Sequence, residues 1–263
     1  MLIYIKGAGD LASGIALRLH HAKFDIVMTD LPVPTAVRRT VAFSEAIRLG
    51  SAAVEDVMAE RTETAEQVRD CISRGVIPVV PTTSEGIIDS LHPDVKVDAV
   101  IAKKNLGTSI DDAPLVIGVG PGFTAGEDCH VVIETKRGHT IGRVIKEGSA
   151  IPNTGVPGNI GGETVNRVIR APKDGYFHPR RDFGNMVYKG EIVAYVDNVP
   201  VFTAITGVVR GMLQEGIYVT EGFKCGDVDP RGISVDYMTV SDKAMSIAGG
   251  VLEAILCYAR DRF

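Results

Sequence analysis

Gly7-Ala8-Gly9-Asp10-Leu11-Ala12 fits G-x-G-x-x-A, lies between an apolar run and a helical pattern, and is followed by Asp30, 21 positions after Gly9. This arrangement suits a pyrophosphate. Gly7 permits a tight turn, and Gly9 lets the backbone approach the phosphates, whose charge is met by N–H groups opening the helix. Ala12 and Gly14 let helix and strand pack closely. Asp30 can accept from a ribose 2′-hydroxyl and repel a 2′-phosphate, which favours an NAD-like over an NADP-like ligand. Asp10 is unusual in such a turn, since an inward carboxylate repels phosphate, and is expected to cap the helix instead.

A second glycine turn, Gly118-Val119-Gly120-Pro121-Gly122, follows another apolar run, so Gly120 and Gly122 either close over the same ligand or form a tight crossover. Arg38 and Arg39 either reach an anionic ligand in that crevice or open a solvated helix. Lys103-Lys104-Asn105 carries the same alternatives. Asp128, Cys129, His130 and Glu134 are the only cluster of metal-ligand types, but one strand face offers just two of them, so no metal is expected. Asp227 and Asp229 read either as acid, base or ligand, or as an Asp-Pro turn. G-x-S-x-G, G-K-[ST] and H-E-x-x-H are absent, and no catalytic residue is assigned.

The elements that must position these residues follow from periodicity. Residues 2–6, a helix over 11–21 and the run 26–28 form β-α-β. Thr64–Arg74 is a polar helix stopped by Gly75, and 76–80, 99–102 and 115–119 read as buried strands of a mainly parallel sheet. Segments 130–136 and 140–146 form a hairpin about Arg137-Gly138-His139. Beyond it, Gly175, Gly184, Val187 and Gly190 recur 32 positions later as Gly207, Gly216, Val219 and Gly222. Two copies of one β unit are implied. They resemble the barrel-sandwich domain of biotinyl and lipoyl carriers, yet the central hairpin 196–200 holds no Lys, so no covalent biotin or lipoate is expected. Ser241–Arg260 is a helix apolar almost all round its middle, expected to return to the N-terminal sheet.

The expected fold is therefore α/β plus β: a Rossmann-like parallel sheet over 1–125, a β-rich barrel-sandwich domain over 126–240 with its repeat at 171–230, and a terminal helix over 241–263. The 263 residues, 45% apolar and 23% charged, suffice for one or two domains, and no stretch is long enough for a membrane span. A net charge of −5 and the lack of Trp argue against nucleic acid. Four scattered cysteines and an N-terminus running straight into a strand fit a cytoplasmic protein without an export signal.

Residues 7–14, 37–46, 120–130, 133–139, 241–244 and 249–256 together resemble the YqeB-type accessory proteins of selenium-dependent molybdenum hydroxylase systems. The N-terminal part is also similar to the Rossmann half of xanthine dehydrogenase accessory proteins. The resemblance implies a maturation role with the hydroxylase as partner, and homo-oligomerisation stays open. The cytosine dinucleotide form of the molybdenum cofactor contains a pyrophosphate that the first glycine turn can cradle. An NAD-dependent oxidoreductase and a non-enzymatic docking scaffold are the alternatives.

Overall fold

Leu2-Ile-Tyr-Ile-Lys6 alternates β-branched and aromatic residues whose central three are buried, which suits a strand covered on both faces. In the computed structural model, which describes residues 1–260, it is the central strand of a nine-stranded sheet. The first of two units comprises residues 1–34, 41–154 and 240–263. Its elements are β1 (Leu2–Lys6), α1 (Asp10–His21), β2 (Asp25–Asp30), α2 (Glu45–Leu49), β3 (Ser51–Val54), β4 (Val57–Arg61), α3 (Ala65–Ser73), β5 (Ile77–Pro81), β6 (Val95–Asp98), β7 (Leu115–Val119), β8 (Thr124–Ala125), β9 (Val131–Ile133), β10 (Val144–Ile145), β11 (Gly148–Ser149) and α4 (Asp242–Arg260).

The strand order is β10-β9-β7-β6-β1-β2-β5-β4-β3. Strands from β9 to β4 run parallel, while β3 and β10 pair antiparallel with their neighbours. The expected Rossmann-like parallel sheet is thus corrected to a mixed one. The cause is local: Glu55-Asp56, with Glu55 at φ 53°, joins β3 and β4 in a two-residue turn, and such a turn permits only an antiparallel partner. At the other edge, the 130–146 hairpin joins this sheet instead of the β half. The run 99–102 is not a strand; β6 lies just before it, and residues 99–108 form a loop.

Thr64 caps α3 through a capping box with Gln67, and β5 is buried throughout. The hydrophobic core fills the space between the sheet and α1 and α4. Of the expected segment 241–263, residues 261–263 lie outside the described ones. Burial of α4 follows one stripe, Ala244, Ile247, Ala248, Val251, Ala254 and Ile255, while Leu256 is exposed, so the helix is amphipathic instead of buried all round. Among the described residues no helix is long and apolar enough to cross a membrane.

A Cβ on Gly14 would stand 2.6 Å from that of Ala244, so Gly14 lets α1 approach α4, not the strand expected from sequence. Gly14→Ala gains helix propensity but overpacks this contact. We expect a net loss of about 1–2 kcal/mol, read as a lower urea midpoint at unchanged m-value.

The second unit comprises residues 35–40 and 155–239. It contains β12 (Val168–Arg170), β13 (Gly175–Pro179), β14 (Met186–Val187), β15 (Ile192–Val196), β16 (Val199–Phe202), β17 (Gly207–Met212), β18 (Tyr218–Val219) and β19 (Lys224–Asp229). These form two antiparallel sheets, β12-β19-β17-β14 and β16-β15-β13-β18, each pairing only within itself. The expected barrel-sandwich of the carriers is corrected to this pair of sheets; register breaks at 169/170, 192/194 and 209/211 interrupt the ladders. Positions 32 apart nevertheless match in conformation. Gly184 and Gly216 have φ 78° and 77°, and Gly175 pairs with Val219 as Gly207 pairs with Val187. The units divide after residue 154, and residue 125 falls inside the first.

Candidate functional site

The carboxyl ends of β1 and β2 and the start of α1 bring Gly7, Gly9, Asp10, Ala12 and Asp30 together. Gly7, at φ 102°, makes the turn that only glycine adopts freely, and its N–H donates to Thr29 O at 2.9 Å. Ala8 N–H donates to Asp30 Oδ2 and Leu31 N–H to Oδ1, both at 2.7 Å. Burial pushes the Asp30 carboxyl above its usual range, and these amide bonds pull partly against that. Asp30 therefore fastens the glycine turn to the end of β2, whatever else it contacts. Ser13, fully buried, donates to Ala8 O at 3.1 Å and accepts from Phe43 N–H at 2.8 Å, locking the turn from below.

Gly9 is the N-cap of α1, with φ −75° and ψ −173° and no side-chain cap. The expected cap, Asp10, is instead the first helical residue, where a carboxylate suits the dipole. A Cβ built on Gly9 meets nothing within 4 Å. Backbone conformation and packing thus leave a side chain room at Gly9, and the first amides of α1 lack acceptors within the helix. Ala12 is buried in the core.

Gly120 and Gly122 follow β7, with Gly120 at φ 85° and Gly122 at φ 111°. A Cβ on Gly120 would meet Thr135 Oγ1 at 2.9 Å, and one on Gly122 would meet the Lys104 backbone at 2.6 Å. A Cβ on Gly7 would meet the Ala99 carbonyl at 3.1 Å. The loop 99–108 is therefore clasped between the two glycine turns. Thr108 Oγ1 donates to Asp98 Oδ2 at 2.7 Å, and Asn105 Nδ2 donates to Thr108 O and to Asp128. Within this loop Ile101 and Lys103 stand at φ 59° and 65°, a conformation that costs a β-branched residue about 1–3 kcal/mol.

Arg38 and Arg39 lie in the second unit. Arg38 is buried and donates to Thr239 O at 3.0 Å; Arg39 Nε donates to Met212 O at 2.9 Å, its guanidinium 4.8 Å from the Phe183 ring centroid. The four metal-type residues act separately: Asp128 accepts from Asn105 and Thr124, Cys129 is buried with its thiol pushed up to about 11 by burial, and His130 Nδ1 accepts from Val116 N–H. Glu134, 2% exposed, accepts the amides of Thr135, Lys136 and Ile151, each at 2.8 Å. Asp227 and Asp229 are buried in an arginine network in the second unit.

Sequence reasoning missed Lys243, the second residue of α4. The signal was a cation in a helix's first turn, against the dipole. Lys243 is half-buried, with Asp10, Glu134, Asp242 and Arg137 as its charged neighbours.

The fold and site define a mixed α/β unit with a glycine-turn site at the carboxyl end of its central strand, in a chain that also carries an antiparallel β unit. Over 255 residues, 97% of its length, the chain is 49% identical to the uncharacterized protein YqeB of Escherichia coli K12, and it is YqeB-like. It spans about half, 47%, of that relative's length. No family model matches the chain. Two solved structures are 13% identical to it and cover 86% of it over 84% of their own chains: an aspartoacylase family protein from Mesorhizobium loti, TM-score 0.29, and the product-bound ectoine utilization protein EutE from Ruegeria pomeroyi, TM-score 0.27. Scores this low establish no common fold.

Proposed function

We propose that the Gly7–Asp10 turn binds the pyrophosphate of a dinucleotide-type ligand, the cytosine dinucleotide form of the molybdenum cofactor or NAD, and that the chain serves in maturing a selenium-dependent molybdenum hydroxylase. The observation that carries the binding reading is the open space at Gly9. A glycine required neither by a left-handed φ nor by a neighbour stands at a helix N-terminus, the point at which a phosphate needs the backbone bare. The maturation role is supported by the motif resemblance, which spans segments from residue 7 to residue 256.

Thermal shift of the purified chain with NAD, NADP and cytidine dinucleotides tests the reading. At a hundred times its dissociation constant a ligand adds about 2.7 kcal/mol to the unit it binds. We expect a raised midpoint with NAD or a cytidine dinucleotide and a smaller one with NADP. No shift with any of them removes the binding reading, and a nicotinamide absorbance change with a small substrate would favour an oxidoreductase instead.

A further inference from the structure

We propose that Lys243, from the first turn of α4, supplies the positive charge that meets the phosphoryl groups at the Gly7–Asp10 turn; the inference rests on the dinucleotide reading above. Its first support is helix direction. Gly14 faces Ala244, and the Arg18 guanidinium lies 3.1 Å from where a Cβ on Gly249 would stand. Successive residues of α1 thus meet successive residues of α4, so the helices run the same way. Their N-termini lie at the same end, the carboxyl end of the parallel strands. Two sets of helix-start amides therefore lie at one end of the unit, with Lys243 within electrostatic reach of Asp10.

The second support is the state of the neighbouring charges. Glu134 accepts three backbone amides, and Asp242 accepts Arg137 Nη1 at 2.6 Å and Nη2 at 3.0 Å. Among the described residues the Lys243 ammonium has no hydrogen-bond or ion-pair partner. A half-buried ammonium at a helix start is unfavourable twice, through lost hydration and through the dipole. An anionic ligand at the adjacent turn removes both costs. A lysine within electrostatic reach of Asp10 also offsets that carboxylate's repulsion of phosphate.

Burial, with Arg137 adding to it, lowers the Lys243 pKa from the ordinary lysine value, while Asp10 on α1, Glu134 and Arg137's partner Asp242 oppose the shift. Lys243 therefore loses its charge at lower pH than an exposed lysine, and ligand affinity should fall as pH rises through that range.

The test is calorimetric titration of the full chain with NAD and with inorganic pyrophosphate, beside thermal melts. Lys243→Met is expected to weaken both probes about tenfold, the scale of one charge-assisted hydrogen bond, while melting no lower than the parent because an unpaired charge is gone. Lys243→Arg should retain affinity and flatten its alkaline decline. Lys189→Met, an exposed change in the second unit, should bind as the parent does. If Gly9→Val loses binding while Lys243→Met keeps it, or if Lys243→Met lowers melting and binding together, the lysine inference is overturned and the site reading stands. If the parent binds neither probe, or Gly9→Val binds as well as the parent, the site reading falls and the inference with it.

Discussion

Gly9→Val is expected to weaken dinucleotide binding by about 100-fold or more while the chain keeps its fold, the larger of the two binding effects anticipated, since a phosphate loses several backbone amides at once. The φ of −75° and ψ of −173° at Gly9 are ordinary for any residue, and a Cβ there meets no atom within 4 Å. Valine's two γ-methyls would fill the space in front of the first α1 amides, where a pyrophosphate must sit. The stability cost is confined to the N-cap, where valine is poorer than glycine by about 1 kcal/mol. Melting should therefore fall by a few degrees only. Calorimetry with NAD and a circular dichroism melt of the same preparation separate the two effects. Undiminished binding would mean that the turn merely connects β1 to α1.

Asp30→Ala has no such clean outcome. Its carboxylate holds the amide of Ala8, so removing it loosens the glycine turn as well as any sugar contact. Discrimination between NAD and NADP by that variant is therefore weaker information than the behaviour of Gly9→Val. The sequence pattern places an acid at the end of β2 without revealing that its oxygens face the turn's own backbone.

What was legible depended on how local the determining forces are. The β1-α1-β2 unit, α3 with its Thr64 cap and β7 follow from short-range periodicity and capping. The 32-residue displacement was legible too, because matched glycines demand matched turns. The edge hairpin of β3 and β4 was hidden: its exposed faces hold Ala, Met and Glu, and only the Glu55-Asp56 turn betrays it. β6 was misplaced because Val-Lys-Val-Asp reads as half-polar, while the apolar run after it lies in a loop held by Asp98 and Asn105. Residues 35–40 join the second unit through Met212 N–H, which donates to Val37 O at 2.7 Å across about 175 positions, a pairing no local pattern announces. The same long-range rule hides Lys243. Its neighbours Asp10 and Glu134 come from distant segments, and only the misplaced sign of its charge at a helix start is visible in the chain.

Asp227→Ala is expected to destabilise the second unit by about 3–5 kcal/mol, because it leaves buried cations without their counter-charge. Asp227 and Asp229 point to one face of β19 by strand alternation, and both are 1% exposed. Asp227 accepts from Arg167 Nη1 and from Arg210 Nε and Nη2, at 2.9 and 2.5 Å for the latter two. Asp229 accepts from Arg231 Nε and Nη2 at 2.9 and 2.8 Å and meets Arg210 Nη1 at 3.3 Å. Three guanidiniums share two carboxylates, so among the described residues Arg167 loses its carboxylate partner when Asp227 is truncated, and Arg210 keeps only its longer contact with Asp229. Asp227→Asn, which retains one acceptor oxygen and the shape, should cost less than alanine. Acid acts on the same network. Burial alone would push the Asp229 carboxyl up, but hydrogen bonds and charge from Arg231 and Arg210 hold it below the ordinary range. An acid whose folded pKa lies below its unfolded value stabilises the fold above about pH 4, and that contribution is lost as pH falls through the folded value. Urea unfolding of the second unit at neutral pH and near pH 3 should show the parent losing stability on acidification. A change under about 1 kcal/mol for Asp227→Ala at neutral pH would mean that the arginines find water once the carboxylate is removed, and that the network does not hold this unit together.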